Sequence, residues 1–147
     1  MIAVRRLRLS DHALAVAVVR ALKPEAERRG HDRIAEALES FLQDDANCFV
    51  VACEGDRPVG FAFGYVLPRI DALEPMIYLH EIAVAAAYRR QGVGRELVQV
   101  FESLGRTCHG RKLFMLTDAN NLPARRLFAS IGARESPSCS LFEYVWS

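Results

Sequence analysis

The sequence predicts a mixed α/β domain, in which about four helices flank a central, mixed and mostly antiparallel sheet. Two patterns predict this class. Two apolar runs joined by the turn Glu54-Gly55-Asp56-Arg57 indicate an antiparallel hairpin. Between residues 77 and 117, an apolar run, a glycine turn, a helical repeat and a second apolar run indicate a parallel, right-handed strand–helix–strand unit.

The first part of the chain predicts one strand and two helices. The strand covers Ile2–Leu7, and the first helix follows it with Ser10 or Asp11 as N-cap and Pro24 near its end. A second helical repeat covers about residues 32–42. The predicted inward faces are Leu14, Val18 and Leu22 in the first helix, and Ile34, Leu38 and Phe41 or Leu42 in the second.

The rest of the chain alternates strands and helices. Its predicted elements are strands 48–53, 58–67 and 76–84, helix 91–107, strand 112–117, helix 121–131 and a last strand 140–146. No linker long enough to divide domains is present, so residues 1–147 are expected to form a single domain.

Composition and charge exclude several functions. Of the 147 residues, 51% are hydrophobic and 25% are charged, which is typical of a globular protein. A net charge of +1 argues against a nucleic-acid surface and gives no attraction to a membrane. Cys48, Cys53, Cys108 and Cys139 lack metal-ligand spacing, so we expect buried, reduced thiols in a cytoplasmic protein and no metal site.

Glycine and arginine alternate where the predicted strand 76–84 passes into a helix. Gly92 and Gly94 leave room for an anion beside the unpaired N–H groups of the first helical turn. Arg89, Arg90 and Arg95 add positive charge at the same point. The alternative is a basic turn with two flexible glycines, but three surrounding arginines favour a phosphate site. A Walker motif is absent, and the third glycine of a dinucleotide fingerprint is missing.

Two motifs in this order resemble a known superfamily. Arg89-Arg90-Gln91-Gly92-Val93-Gly94 matches the arginine-or-glutamine, x, x, glycine, x, glycine-or-alanine signature of the GNAT N-acetyltransferases, and residues 121–133 resemble their second block. The resemblance implies the GNAT fold, acetyl-coenzyme A as cofactor and a sheet that splays beside strand 76–84 to admit the acyl-pantetheine arm. The cofactor-binding residues it implies are Ile82, Ala83, Val84, Arg89, Arg90, Gln91, Gly92, Val93, Gly94, Arg95, Asn121, Ala124 and Phe128.

Two residues of the second block have open roles. Asn121 matches the asparagine that holds the pantetheine in the superfamily, and it is also placed to cap the following helix. Phe128 stands where the superfamily usually has a tyrosine near the coenzyme A sulfur. Tyr144, Tyr78, a water molecule or direct protonation in solution are the alternatives for the proton donor.

An amine acceptor must lose a proton before it can attack a thioester, so a base is expected near the acyl site. Glu81 is our candidate for this catalytic base, on the same strand face as Ile77 and Leu79 if the strand is regular. The structural alternative for Glu81 is an ion pair with an arginine. His80 is the neighbouring candidate base, on the opposite face.

A narrower resemblance concerns the acceptor. Residues 62–69, followed by Ile77-Tyr78 and Glu81-Ile82-Ala83-Val84, resemble the type I aminoglycoside 3-N-acetyltransferases, in which an aspartate normally stands at the position of Glu81. The resemblance implies direct transfer to the 3-amine of a small polycation. Such an acceptor needs several carboxylates, and the candidates are Asp71, Glu74, Glu81, Asp118, Glu135 and Glu143. A solvated loop charge is the alternative, and it is favoured for Asp71 and Glu135.

Other functions stay open at this point. The acceptor could instead be another polyamine, a peptide amino terminus or a lysine. Phe128 is also compatible with a noncatalytic acyl-coenzyme A sensor. No nucleic-acid or membrane partner is expected, and a homodimer is left open.

Overall fold

The fold is known for residues 1–29 and 31–146, which a computed structural model describes. The described residues form five strands, namely β1 (Ile2–Leu7), β2 (Asn47–Glu54), β3 (Arg57–Leu67), β4 (Met76–Val84) and β5 (Lys112–Met115). They form four α-helices, namely α1 (His12–Leu22), α2 (His31–Gln43), α3 (Val93–Thr107) and α4 (Leu122–Ser130). The predicted mixed α/β class is confirmed.

The strands form a single mixed sheet in the order β1-β2-β3-β4-β5. Neighbours from β1 to β4 are antiparallel, and β5 is parallel to β4. The predicted hairpin connects β2 and β3, with Gly55 at φ 59° in its turn, a conformation that favours glycine. The predicted parallel pair is β4 with β5.

Helices α1 and α2 pack on one face of the sheet, where their apolar side chains meet Phe49 and Phe61. The predicted inward residues of α2 are confirmed, since Ile34, Leu38 and Leu42 are buried and Phe41 packs against them. In α1, Val18 is buried, while Leu14 and Leu22 pack at the margin of the same cluster. The two helices therefore close the face on which β2 and β3 present their phenylalanines.

Helix α3 packs on the other face of the sheet. Val93, Leu97 and Phe101 are buried there, with at most 2% of their surface exposed. The helix can approach the sheet because Gly60 and Gly64 stand opposite these three side chains. The glycines of β3 thus determine how closely α3 lies to the strands.

Asp11 stands at the N-cap position of α1, as predicted, but its carboxylate does not cap the helix. It accepts hydrogen bonds from the Arg5 guanidinium and from the Arg8 backbone N–H, at 3.0 and 2.9 Å. The bond from Arg5, followed by that from Arg8, lowers the pKa of Asp11 below its ordinary value. Asp11 therefore ties β1 to the start of α1.

The chain divides into two compact units, Met1–Leu116 and Thr117–Ser147, and the first contains the whole sheet. The predicted last strand is wrong, because residues 140–146 have no strand conformation. These residues have the composition of a strand, but a strand needs a hydrogen-bonded neighbour. The described residues of the second unit contain no strand with which residues 140–146 could pair. A single domain over residues 1–147 stays a prediction.

The four cysteines are free thiols in different environments. Cys48 is buried, and burial raises its pKa to about 11. Cys53 and Cys108 are partly buried, while Cys139 is exposed. The prediction of buried thiols is therefore confirmed for Cys48 and wrong for Cys139. Within the described residues, no helix is long and apolar enough to cross a lipid bilayer.

Candidate active site

Strand β4 has two unequal halves. Its first half, residues 76–79, pairs with β3 on one edge and with β5 on the other, and the last parallel pair is Leu79 with Met115. In its second half, residues 80–84, the residues from Glu81 to Val84 continue to pair with β3, and Val84 lies opposite Gly60. Among the strands that the structure describes, none pairs with the other edge of this second half. Among the described residues, the edge of β4 at Ile82, Ala83 and Val84 therefore has no strand partner on the β5 side.

A β-bulge separates the two halves. Phe63 pairs with Glu81, while the next residue of β3, Gly64, pairs with Leu79, so that His80 is an extra residue in β4. Because paired residues share a face, Glu81 lies on the face of Phe63, opposite Ile77 and Leu79. The predicted regular alternation, which put Glu81 with Ile77 and Leu79, is wrong. A bulged residue shifts the side-chain alternation by one position.

The bulge also brings His80 to the same face as Glu81, contrary to the prediction. The His80 ring lies 5.1 Å from that of Phe63, and its Nδ1 lies 3.1 Å from the Tyr78 hydroxyl oxygen. The two candidate bases are therefore neighbours on the face that α1 and α2 cover.

Gly64, which was not among the predicted site residues, makes this arrangement sterically possible. A Cβ atom at Gly64 would lie 2.0 Å from the Tyr78 carbonyl oxygen and 2.9 Å from Cε1 of Phe101. Gly60 is similarly confined, with the Ala83 carbonyl oxygen 3.2 Å from such an atom. A glycine inside a strand is a recognised signal of a bulge or a close backbone approach, and this signal was available in the sequence.

Glu81 forms an ion pair with Lys23, whose Nζ lies 2.5 Å from Oε2 of Glu81. The two side chains are 28% and 31% exposed, so the pair is accessible from solvent. Lys23 follows the last residue of α1, and its N–H donates to the Val19 carbonyl at 2.8 Å. The structural alternative for Glu81, an ion pair, is thus present, but with a lysine rather than an arginine. No motif in the sequence pointed to Lys23.

An aromatic cluster, defined here as Phe63, Tyr65, Tyr78, His80 and Phe114, borders Glu81. The rings of Tyr65 and Tyr78 stack at 6.2 Å, and those of Tyr78 and Phe114 at 4.8 Å. Burial and the nearby Tyr78 raise the pKa of Tyr65 above its ordinary value. The cluster gives the carboxylate a partly buried, apolar border, which strengthens its attraction for a cation.

The glycine turn lies between β4 and α3. Gly92 has φ 85° and precedes the first helical residue, Val93, while Gly94 and Arg95 complete the first turn. No described side chain caps this helix. The first N–H groups of α3 therefore lack intrahelical partners and are placed to bind an anion.

Two side chains of the same turn stabilise its conformation through hydrogen bonds to backbone carbonyl groups. Arg89 donates through Nε to the Val84 carbonyl at 3.1 Å, and Gln91 donates to the Ala87 carbonyl at 3.0 Å. Arg90 has φ 62°, an uncommon conformation for a residue other than glycine. Arg90 and Arg95 are exposed. Neither Arg90 nor Arg95 has an ion pair or a side-chain hydrogen bond among the described contacts, so their charge is available to an anion, whereas the Arg89 guanidinium is bonded to the Val84 carbonyl.

Tyr88 connects this turn to the β2–β3 hairpin. Its hydroxyl donates to the Glu54 carboxylate at 2.5 Å, and the Arg57 guanidinium lies 5.9 Å from the centre of its ring. The bond to Glu54 raises the pKa of Tyr88 above its ordinary value. No local sequence pattern indicates this contact, because Glu54 and Tyr88 are distant in the chain.

Two of the predicted acceptor carboxylates lie in the loop between β3 and β4. Asp71 accepts two hydrogen bonds from Arg69, at 3.0 and 2.8 Å, and these lower its pKa below the ordinary value. The negative charge of Asp71 is therefore already paired with Arg69 in the same loop. Glu74 is exposed in the same loop.

The second unit contains the remaining predicted residues. Asn121 caps α4, because its Oδ1 accepts a hydrogen bond from the Ala124 N–H at 3.2 Å, and the Asp118 carbonyl accepts from the Asn121 N–H at 2.9 Å. The predicted capping role is thus confirmed. Phe128 lies on α4, and Glu143 lies in residues 140–146. Glu135 pairs with Arg125 at 2.9 Å, and its side chain is 69% exposed, in keeping with a solvated charge.

A family comparison covers most of the chain. The model of the acetyltransferase (GNAT) family matches residues 14–133, which include the glycine turn, the open half of β4 and α4. No curated protein sequence matches the chain.

Solved structures share the fold at low sequence identity. An aminoglycoside acetyltransferase from an uncultured soil metagenomic sample, in complex with sisomicin, is 21% identical with a TM-score of 0.86, over 99% of this chain and 97% of that chain. The aminoglycoside N-acetyltransferase AAC(6')-Iy in complex with CoA is 18% identical with a TM-score of 0.81, over 98% and 95%. The ribosomal-protein-alanine N-acetyltransferase from Brucella melitensis biovar Abortus 2308 is 21% identical with a TM-score of 0.76, over 99% and 100%.

Proposed function

Because the chain belongs to the GNAT family of acetyltransferases and uses acetyl-coenzyme A, we propose that it transfers acetyl directly to a primary amine of an aminoglycoside. The observation that carries the proposal is the second half of β4. There an open strand edge and the half-buried carboxylate of Glu81 are followed within the same segment by an uncapped helix start. These are the three parts that binding an acyl thioester and deprotonating an amine require.

The donor fits the residues at the glycine turn and the open edge. Backbone N–H groups of Gly92, Val93 and Gly94, with the charges of Arg90 and Arg95, would hold the pyrophosphate. The unpaired edge of residues 82–84 would bond the amide groups of the pantetheine arm, as an added strand does. Arg89 and Gln91 support the shape of the turn through their bonds to carbonyl groups. Asn121, Ala124 and Phe128 complete this assignment on the strength of the sequence motif.

Glu81 would act as the general base, directly or through water. Its carboxylate already binds one ammonium group, that of Lys23, so an acceptor ammonium would replace one cation by another. Such an exchange costs less than burying a new charge. His80 is the alternative base, because the bulge puts it on the same face. With Phe128 in place of a tyrosine, Tyr78, Tyr144 or water would return the proton to the leaving thiolate.

The choice of an aminoglycoside rests on the sequence resemblance and is in keeping with two of the solved structures, whose names describe aminoglycoside enzymes. At these identities the likeness shows the fold alone. The resemblance assigns the 3-amine, whereas AAC(6')-Iy is named for the 6' position. The sequence resemblance also assigns Asp118, Glu143, Asp71 and Glu74, besides Glu81, to binding of the polycation. Nuclear magnetic resonance of the product distinguishes the two positions.

The decisive experiment is an acceptor panel assayed by acceptor-dependent release of coenzyme A thiol. Gentamicin should be acetylated with a higher kcat/KM than a polyamine, a peptide or free lysine. Ready acetylation of peptides with gentamicin left unmodified would contradict the aminoglycoside assignment. If none of the panel's acceptors stimulates thiol release, the result would contradict an acetyltransferase for external amines and favour a sensor.

Asp118→Asn tests the polycation site. The substitution should raise the KM for gentamicin more than that for acetyl-coenzyme A, and higher salt should weaken acceptor binding through screening. Asp56→Asn, in the exposed turn between β2 and β3, is the matched control and should change neither constant. Equal effects of the two substitutions would remove Asp118 from the acceptor site.

A protein or peptide amine is the second candidate acceptor. It is favoured by one observation, namely that a lysine ammonium already lies against Glu81. The ribosomal-protein-alanine acetyltransferase has the same fold, so the fold does not separate the two acceptors. The same panel separates them. A cytoplasmic location and a homodimer stay predictions, the latter measurable by sedimentation.

A further inference from the structure

Lys23 occupies the position at Glu81 that an acceptor amine would take. Its Nζ lies 2.5 Å from the carboxylate, and the backbone of Lys23 is held on both sides. Its N–H donates to the Val19 carbonyl at 2.8 Å, and its carbonyl accepts from the Ala26 N–H at 3.0 Å. The Lys23 side chain therefore reaches the carboxylate from a backbone that is fixed by two hydrogen bonds.

The residue type at this position matters for its chemistry. The chain has 19 lysine and arginine residues, of which two are lysines, Lys23 and Lys112. An arginine would form the stronger, bidentate ion pair with a carboxylate. A guanidinium does not lose its proton in proteins, whereas a lysine amine does and can then act as a nucleophile. The side chain at Glu81 is thus one of the two in the chain that can accept an acyl group on a lysine nitrogen.

We propose that Lys23 is an internal acetyl acceptor, which takes acetyl from acetyl-coenzyme A when no external amine is bound. This inference rests on the proposed function of Glu81 and of the open edge of β4. The ammonium of Lys23 gives one proton to the Glu81 carboxylate, and the neutral nitrogen attacks the thioester carbonyl carbon. A carbon–nitrogen bond forms, the carbon–sulfur bond breaks, and the thiolate leaves with its electron pair. The amide nitrogen loses its second proton, and the thiolate takes up one proton.

The test uses the whole protein incubated with isotopically labelled acetyl-coenzyme A and no acceptor, followed by peptide mass spectrometry. Lys112 is the matched internal control, because it is exposed at the start of β5 and has no carboxylate partner among the described ion pairs. Label should enter Lys23 about a hundredfold faster than Lys112, the factor expected from a positioned base. The rate per molecule should not depend on protein concentration, since the transfer is intramolecular.

Three variants and one competition experiment distinguish an internal acceptor from a merely structural ion pair. Lys23→Arg keeps the positive charge and should abolish labelling at this position, whereas Lys112→Arg should leave Lys23 labelling unchanged. Glu81→Gln should slow Lys23 labelling to the rate of Lys112. A saturating acceptor from the panel should also slow it, because both amines need the same carboxylate.

A second readout does not use the coenzyme. A generic amine-acetylating reagent should modify Lys23 several-fold faster in Glu81→Gln than in the unaltered protein, because the neutral amide no longer holds the amine in an ion pair. The rate at Lys112 should not change. An unchanged rate at Lys23 would show that the ion pair does not form in solution and would overturn the proposal.

Failure of this proposal differs from failure of the proposed function. Acceptor turnover without label on Lys23, or equal rates at Lys23 and Lys112, overturns the internal acceptor and leaves the acetyltransferase function standing. Fast labelling of Lys23 without turnover of any panel acceptor supports the internal acceptor and contradicts the external one. Neither labelling nor turnover, with acetyl-coenzyme A still bound, overturns both.

Discussion

The two halves of β4 belong to one strand of nine residues and have different uses. Residues 76–79 are hydrogen-bonded on both edges, and their Ile77 and Leu79 side chains are 0% and 1% exposed. Of residues 80–84, Glu81 to Val84 pair with β3 alone among the described strands, and all five residues are at least partly exposed. The first half builds the sheet, while the second leaves backbone and side-chain groups available for a ligand.

The bulge at His80 makes this difference possible. Had the strand continued regularly, Glu81 would lie on the face of Ile77 and Leu79, where α3 packs. The extra residue puts Glu81 on the other face, beside Lys23 and the aromatic cluster. One inserted residue therefore changes an expected core position into an accessible carboxylate.

The largest effect is expected from Gly64→Ala, which acts on the bulge itself. The new Cβ atom would lie 2.0 Å from the Tyr78 carbonyl oxygen, and backbone cannot move as a side chain can. We expect a loss of about 3 kcal/mol in the free energy of unfolding, at the upper end for an overpacked core, measured by urea denaturation. Gly105→Ala is the control, because its Cβ would lie 3.6 Å from Ile77 and alanine favours a helix. Equal stability of the two variants would contradict the steric role of Gly64.

Glu81→Gln tests the second half of β4 without disturbing the first. It keeps the size of the side chain and removes the charge, so kcat should fall about a hundredfold or more, while binding of acetyl-coenzyme A persists. Because the Lys23 pair is partly exposed, the free energy of unfolding should change by less than about 1 kcal/mol. His80→Gln is the companion variant. If it causes the larger loss of kcat, His80 rather than Glu81 is the base.

Gly94→Val tests the helix start that follows the open half. A branched side chain in the first turn of α3 should obstruct the approach of a pyrophosphate to the N–H groups. We expect the Kd for acetyl-coenzyme A to rise about tenfold, or about 1.4 kcal/mol, by calorimetry on a folded variant. Ser103→Val, exposed on the same helix, should leave the Kd unchanged. An unaltered affinity in Gly94→Val would rule out this phosphate site.

The smallest effect is expected from Ile77→Val in the paired half. Removing one buried methylene group should lower the free energy of unfolding by about 1 kcal/mol. The kcat and the KM should stay as they are, because Ile77 lies on the face of β4 opposite Glu81. A large fall in kcat with little loss of stability would show that the two halves are not functionally separate.

The site was predictable where a short motif determines local structure. The residues from Arg89 to Gly94 predicted a phosphate-binding turn, and the structure has Gly92 in a left-handed conformation at the start of α3. Glu81 was recognised as a carboxylate within an apolar strand. Its partner Lys23 was not, because the two are 58 positions apart and no local pattern relates them. The contact between Glu54 and Tyr88 was missed for the same reason.

The sequence by itself determined the order of the elements, the hairpin, the parallel β4–β5 pair and the glycine turn. Each of these depends on side-chain periodicity or on turn residues that act within a few positions. Only the tertiary structure decided the face of Glu81, the Lys23 pair and the lack of a strand at residues 140–146. A bulge is a property of two paired strands, an ion pair joins distant segments, and a strand exists only beside another strand. These outcomes follow from which segments meet, which local sequence does not encode.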